Sequence, residues 1–98
     1  MSSLQIDGFL FDDENVDKFN SHGLSDNNVD QILDNAFLVI PNRKDRRGHY
    51  LIIGRDNGGK CIAVPIEPTH DRSIWRPITA WPCKASEEAR LRRKLGEP

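Results

Sequence analysis

The sequence predicts a single α+β domain, with two N-terminal helices, a four-stranded, mainly antiparallel sheet and a C-terminal helix. Three observations support this: apolar residues recur at helical spacing early in the chain, short apolar runs bounded by turn residues follow, and a charged segment closes it. Strands joined by tight turns pair antiparallel. A chain of 98 residues holds one core, so residues 1–98 form one domain with an ordered core at about residues 9–95.

Capping and spacing signals predict the three helices. Acidic residues 12–14 favour the start of a helix through its dipole, and Gly23 is predicted to end that helix in a left-handed conformation. Ser25 is a good N-cap for the second helix, and Ser86 for the C-terminal one. The second helix has an amphipathic stripe at i, i+3, i+4 and i+7, formed by Val29, Ile32, Leu33 and Ala36.

Four strands are predicted at residues 36–40, 49–53, 60–66 and 74–81. Asn57 and Gly58 are typical of a two-residue type I′ turn, which would join the second strand to the third. Because proline cannot donate to a β-ladder, Pro65 and Pro77 indicate sheet edges or bulges. With the helices on one face, the other face of the sheet, or one end of it, is expected to be free for function.

Two tryptophans leave the orientation of the last strand open. Trp75 and Trp81 are six residues apart and would point to the same side of a regular strand. If that side is the core, Arg76 points outward and is available to a site. If the neighbouring isoleucines form the core, Arg76 is either buried with a partner or lies at the rim of the sheet.

The charge is unevenly distributed along the chain. Residues 1–40 have a net charge of −7 and residues 41–98 a net charge of +6, although the whole chain carries only −1. Such a split is typical of a basic surface that binds a polyanion, or of helices whose exposed faces happen to be acidic. The short length and the composition exclude a multidomain enzyme, a membrane protein and a disulfide-rich scaffold.

The two cysteines, Cys61 and Cys83, stand alone in the sequence, without a CxxC motif. The N-terminus has no secretory signal pattern, and no apolar run approaches the roughly 18 residues of a membrane span. The sequence therefore predicts a cytoplasmic protein with free thiols and no membrane contact, in which Cys61 belongs to the core.

The sequence contains no metal-ligand spacing and no nucleotide-cofactor motif, so neither a metal nor a cofactor is expected. What remains is a set of cations with interleaved histidines and aromatic residues in the second half of the chain. A metal-free ribonuclease needs a base for the 2′-hydroxyl proton, an acid for the leaving oxygen, and cations around the phosphate. The alternative is a solvated sheet face with salt bridges.

Two groups of residues are the candidates for this chemistry. Arg55 and Arg76 would hold the scissile phosphate, with Lys84 or His49 transferring the proton. Residues 42–48 form a polar, basic loop. This basic loop and the sheet side would bind RNA through Arg43, Lys44, Arg46, Arg47, Lys60 and Trp81.

Residues 11–16 read Phe-Asp-Asp-Glu-Asn-Val and residues 22–25 read His-Gly-Leu-Ser. These segments resemble the opening of the BrnT-like toxins, which have an aromatic-Asp segment, an Asn-containing helix and a His-Gly-Val turn. Residues 51–55, Leu-Ile-Ile-Gly-Arg, are similar to the family's aliphatic-Gly-Arg strand. Residues 76–80, Arg-Pro-Ile-Thr-Ala, are similar to its Arg-Ile-Ile-Ser/Thr-Ala strand. With a charged C-terminal helix, the resemblance runs from about Phe9 to Arg93.

The resemblance implies a RelE-like fold and a toxin of a type II toxin–antitoxin pair, which cleaves RNA without metal and is silenced by a DNA-binding antitoxin. Arg55 and Arg76 match the family's strand arginines. The family's arginine after the Ser/Thr-Ala pair is replaced by Trp81, and Lys84 could supply the missing charge. A homodimer or a toxin–antitoxin hetero-oligomer is expected. The alternatives are a non-catalytic interaction module that kept the fold and a small DNA-binding regulator.

Overall fold

The computed structural model describes residues 4–44 and 46–98, and it confirms the α+β class. The helices are α1 (Asp13–Ser21), α2 (Asp26–Gln31), a 3₁₀ helix (Ile32–Asp34) and α3 (Ala85–Leu95). The strands are β1 (Gly8–Phe9), β2 (Leu38–Pro41), β3 (Tyr50–Arg55), β4 (Cys61–Pro68), β5 (Ile74–Pro77) and β6 (Trp81–Pro82). Across these described residues, no helix combines the length and apolar character needed to cross a bilayer.

The sheet has more strands than the four that the sequence predicts. Its order is β1-β5-β4-β3-β2, and β6 pairs with β4 beyond the end of β5. The pairs β2–β3, β3–β4, β4–β5 and β4–β6 are antiparallel, whereas β1 runs parallel to β5. Strand β1 escapes sequence analysis because two residues are too few to show an alternating pattern.

Both faces of the sheet are covered, which corrects the expectation that one face is free. Ile52 and Val64 face Phe19 of α1 and Val29 of α2 in one buried cluster. A second buried cluster consists of Leu51, Ile53, Ala63 and Leu91 of α3. Because successive side chains of a strand point to opposite faces, Ile52 and its two neighbours assign these clusters to opposite sides of the sheet. We call the two sides the α1/α2 face and the α3 face.

The turn between β3 and β4 is not the predicted type I′ turn. That turn needs positive φ at both central residues, but Asn57 and Gly58 lack it, and Gly59 adopts φ +89° instead. The amide of Gly59 donates to the carbonyl of Asp56 at 3.0 Å, and the Asp56 amide donates to the Lys60 carbonyl at 3.0 Å. This is the pattern of a three-residue loop, with a type I turn followed by a left-handed glycine.

The interruption of the last predicted strand is a β-bulge. Ile66 pairs with Pro77 and Ala63 with Trp81, so two residues of β4 face three residues between β5 and β6. The amide of Ile78 closes the bulge by donating to the Pro65 carbonyl at 2.9 Å. The prediction that the prolines mark edges or bulges is confirmed at this position.

Two further predictions, that the cysteines are free and that Ser86 caps the last helix, are wrong. Cys61 and Cys83 form a disulfide, with Cα atoms 5.3 Å apart, so they are not free thiols. The argument for a cytoplasmic protein loses the support of unpaired cysteines. Helix α3 begins at Ala85 with Lys84 at its N-cap, so Ser86 does not cap it.

Candidate nucleic-acid interface

The α3 face contains a groove of about 320 Å³ between residues 40–43 with Arg46 on one side and the N-terminal half of α3 on the other. Leu51 and Ile53 form part of its apolar lining. Six other lining residues carry its chemistry, and they define what we call the Trp81 groove: Arg43, Arg46, Lys84, Arg90, Trp81 and Glu87.

The bulge brings Trp81 into this groove. The extra residue between β5 and β6 reverses the alternation of side chains, so Trp75 packs in the α1/α2 cluster and Trp81 packs against the α3-face cluster. Trp75 is 8% exposed and meets the Tyr50 ring edge-on at 5.7 Å between ring centroids. Trp81 is half-buried. The two tryptophans therefore lie on opposite faces of the sheet, whereas a regular strand would place them on the same face.

Described residues of the basic loop form one wall of the groove: Asn42, Arg43 and Arg46. The side-chain amide of Asn42 donates to the Arg47 carbonyl at 2.9 Å, and the Arg46 amide donates to the Arg43 carbonyl at 3.0 Å. Gly48 has φ +106°, a conformation that favours glycine where the loop re-enters β3. These bonds hold the arginines of the loop beside the sheet.

The start of α3 forms the opposite wall. The Glu87 carboxylate accepts from the Lys84 amide at 2.8 Å (Oε1), and from the indole N–H of Trp81 at 3.0 Å (Oε1) and 3.3 Å (Oε2). Because the indole N–H is already bonded to Glu87, the ring of Trp81 is the part that remains for stacking. Arg90 lies one helical turn after Glu87, on the same side of α3.

A second hollow continues the basic surface past Trp81. It has a volume of about 350 Å³ and shares Asn42, Arg46 and Trp81 with the first, while adding Arg47. The cationic surface thus extends along both sides of the tryptophan.

The structure brings together only part of the predicted site. Arg43, Arg46, Lys84 and Trp81 line the Trp81 groove, and Arg47 lines the adjoining hollow. Of the other predicted residues, exposed Lys44 lies in the basic loop, His49 lies at the end of that loop, and Lys60 lies at the β3–β4 hairpin.

Arg76 is occupied by three carboxylates. It donates to Asp12 at 2.7 and 3.2 Å, to Glu67 at 3.0 Å and to Glu14 at 3.2 Å. The hydrogen bonds from Arg76 hold the pKa of Asp12 below its usual range, and the Asp12 carboxylate in turn raises the pKa of Arg76. Arg47 joins the same group, 3.6 Å from Glu67. The guanidinium of Arg76 therefore connects the start of α1 to the sheet.

Arg55, at the end of β3 and beside the start of β4, is bonded to a carboxylate. Its two terminal nitrogens donate to the Glu97 carboxylate at 2.8 and 2.7 Å, which raises the pKa of Arg55 and lowers that of Glu97. Arg55 pairs with Cys61, whereas Arg76 pairs with Glu67, six positions further along β4. At about 3.3 Å per residue their backbones are roughly 20 Å apart, so the structure does not bring them to one phosphate.

Sequence analysis missed Glu87 and Arg90. The sequence predicts both only as part of a charged C-terminal helix. Their spacing of three residues, close behind Trp81, is the signal that could have placed them on the same surface. Among the described residues, no group of three or more His, Cys, Asp or Glu side chains could hold a metal ion.

Compared with known proteins, the chain matches no family model, no curated protein and no solved structure.

Proposed function

We propose that this chain is a metal-independent ribonuclease toxin of a type II toxin–antitoxin pair, and that it binds RNA in the Trp81 groove. One observation carries the proposal: four cations and a half-buried tryptophan converge in one groove. Phosphates attract arginine and lysine, and unpaired bases stack on aromatic rings. A single-stranded RNA uses both kinds of contact at once.

The arrangement of charge over the fold supports a polyanionic ligand. Helices α1 and α2 belong to the acidic part of the chain and pack on one face of the sheet, whereas α3 and the groove lie on the other. A polyanion that approaches the α3 face meets the arginines and lysines and avoids the acidic helices.

The toxin assignment, the RelE-like fold and the DNA-binding antitoxin rest on the resemblance to BrnT-like toxins. The observed order of two helices, antiparallel strands and a C-terminal helix is compatible with it. The catalytic cations would differ from the matched strand arginines, because Arg55 and Arg76 are bonded to carboxylates. The groove offers Lys84 and Arg90 close to Trp81 in their place.

The same carboxylate contacts favour a second candidate, an interaction module that kept the fold but lost cleavage. If Arg55 and Arg76 serve only stability, the groove can still bind RNA or an acidic partner protein. Cleavage separates the two candidates.

The test is incubation of the purified chain with single-stranded RNA in the presence of a chelator, together with growth after expression. We expect cleavage and growth arrest, and relief of the arrest by the product of the adjacent reading frame. Lys84→Ala should abolish both effects, while Lys60→Ala, a matched change at the distant hairpin, should keep them. RNA binding without cleavage would favour the interaction module. The absence of RNA binding would overturn the ribonuclease and leave only a module that binds an acidic partner protein.

A further inference from the structure

We propose that Glu87 is the general base of the Trp81 groove, accepting the 2′-hydroxyl proton of a bound RNA. This inference rests on the proposed function, and it assigns a residue that neither the sequence pattern nor the resemblance indicates. A metal-free ribonuclease needs a proton acceptor next to its cations. Glu87 is the carboxylate among the described residues that line the groove.

The orientation of the carboxylate is fixed from one side. Oε1 accepts from the Lys84 amide at 2.8 Å and from the Trp81 indole at 3.0 Å. Both donors belong to the segment that leads into α3, so the carboxylate is held by its own local structure. A positioned base needs such support because a small displacement from the substrate costs much of its effect.

The second oxygen is the one available to substrate. Among the described residues, Oε2 takes part only in the longer indole contact, at 3.3 Å, and a carboxylate oxygen has two acceptor sites. Charged groups face Glu87 from each wall of the groove: Lys84 precedes α3, Arg90 follows one turn later, and Arg43 and Arg46 belong to the basic loop. These cations line the same groove as the carboxylate, where they can hold the phosphate.

The reaction follows from this arrangement. Glu87 takes the proton of the 2′-hydroxyl, and the 2′-oxygen forms a bond to the adjacent phosphorus. The bond from phosphorus to the 5′-oxygen breaks, and that oxygen takes a proton, for which the groove offers the Lys84 ammonium. The products are a 2′,3′-cyclic phosphate and a 5′-hydroxyl end, and no electrons are exchanged with an oxidant or reductant.

The competing role of Glu87 is purely structural, because glutamate at this position also caps the helix start. Glutamine separates the two roles, since its carbonyl oxygen can still accept from the Trp81 indole and the Lys84 amide but its amide takes up no proton. Glu88→Gln is the matched control. Glu88 lies next to Glu87 but bonds Arg92 at 3.2 Å and lines a different part of the helix surface.

The experiment compares RNA cleavage, RNA affinity and the pH profile of kcat/KM for the unaltered protein, Glu87→Gln and Glu88→Gln. We expect Glu87→Gln to cleave at least about 100-fold more slowly. Its RNA affinity should stay within about threefold, and the rise in rate with pH at the acidic end should disappear. Circular dichroism checks that α3 is intact, and Glu88→Gln should behave as the unaltered protein.

Each outcome has a separate meaning. If the unaltered protein cleaves and Glu87→Gln cleaves equally fast with the same pH profile, the base assignment is wrong and the ribonuclease proposal stands. If the unaltered protein does not cleave RNA at all, the proposed function fails and takes the assignment with it. If Glu87→Gln loses helix content, the pH profile of the unaltered protein tests the assignment instead. A kcat/KM that does not rise with pH at the acidic end would overturn it.

Discussion

Arg76 and Asp12 join the start of the first helix to the sheet through two hydrogen bonds, of 2.7 and 3.2 Å. Asp12 is also the N-cap of α1, where it accepts from the Asn15 amide at 2.8 Å. One carboxylate thus caps a helix and anchors it to a strand 64 residues later. An arginine with the sequence signature of a phosphate ligand has a structural role in this fold.

Arg76→Ala should lower the free energy of unfolding by about 1–2 kcal/mol, because three carboxylates lose their shared partner while staying close together. Arg72→Ala, an exposed arginine in the preceding loop, should change it by less than about 0.5 kcal/mol. Urea unfolding of both variants measures the difference. Equal stability of Arg76→Ala and the unaltered protein would contradict this structural role and make Arg76 a candidate phosphate ligand again.

The lowered pKa of Asp12 makes part of the stability depend on pH. The folded state binds this proton less readily than the unfolded state, whose Asp has a pKa of about 3.9. The contribution is therefore fully present above about pH 5 and is lost as the pH falls through the folded pKa. Asp12→Asn, which still caps a helix, should be less stable than the unaltered protein at pH 6 and closer to it at pH 3. A constant difference at both pH values would contradict this.

The disulfide between Cys61 and Cys83 should contribute about 3 kcal/mol to stability, since it closes a loop with a sequence separation of 22 residues. A reductant should therefore shift the urea midpoint of the unaltered protein to lower concentration. Cys61→Ser/Cys83→Ser should match the reduced protein and show no response to reductant. A midpoint that reductant does not move would mean that the bond does not stabilise the folded state.

The hairpin offers a comparison between two adjacent glycines. Gly59→Ala should cost about 1–2 kcal/mol, because φ +89° is strained for a residue with a side chain. An added Cβ at Gly59 meets nothing within 4 Å, so the cost is conformational. Gly58→Ala should be nearly neutral, since Gly58 lacks positive φ and its nearest contact is Asp56 Oδ1 at 3.5 Å. Thermal melting compares the two variants. A larger loss of stability for Gly58→Ala than for Gly59→Ala would favour the type I′ turn instead.

The α+β class could be predicted because helix stripes and strand runs are local patterns. Gly23 does adopt the left-handed conformation predicted for it, with φ +77°, and Ser25 does cap α2. The disulfide could not be predicted because no motif links two cysteines 22 residues apart. Their proximity depends on β6 pairing with β4, a tertiary contact.

The candidate site was predicted in residue types more than in position. Arg43, Arg46, Lys84 and Trp81 were identified from charge and aromatic character, but only the bulge brings Trp81 to the side of the basic loop. A one-residue insertion in a ladder reverses the face of every later side chain, and sequence periodicity does not show where it occurs. The salt-bridge partners of an arginine also depend on tertiary contacts, so the carboxylates that bind Arg76 could not be assigned from the sequence.

The most direct test of the account is the affinity of a labelled single-stranded RNA for two double variants that lose the same charge. Arg46→Ala/Lys84→Ala removes two cations of the Trp81 groove, and Arg72→Ala/Arg93→Ala removes two from elsewhere. Fluorescence anisotropy over a range of salt concentrations measures the affinity of each variant.

We expect the unaltered protein to lose about tenfold or more in affinity between low and physiological salt. The groove variant should bind much more weakly, with a salt slope reduced by about 0.7 for each phosphate contact removed. The control variant should retain both the affinity and the slope. Equal losses in the two variants, or an affinity that does not depend on salt, would contradict the assignment of RNA to the Trp81 groove.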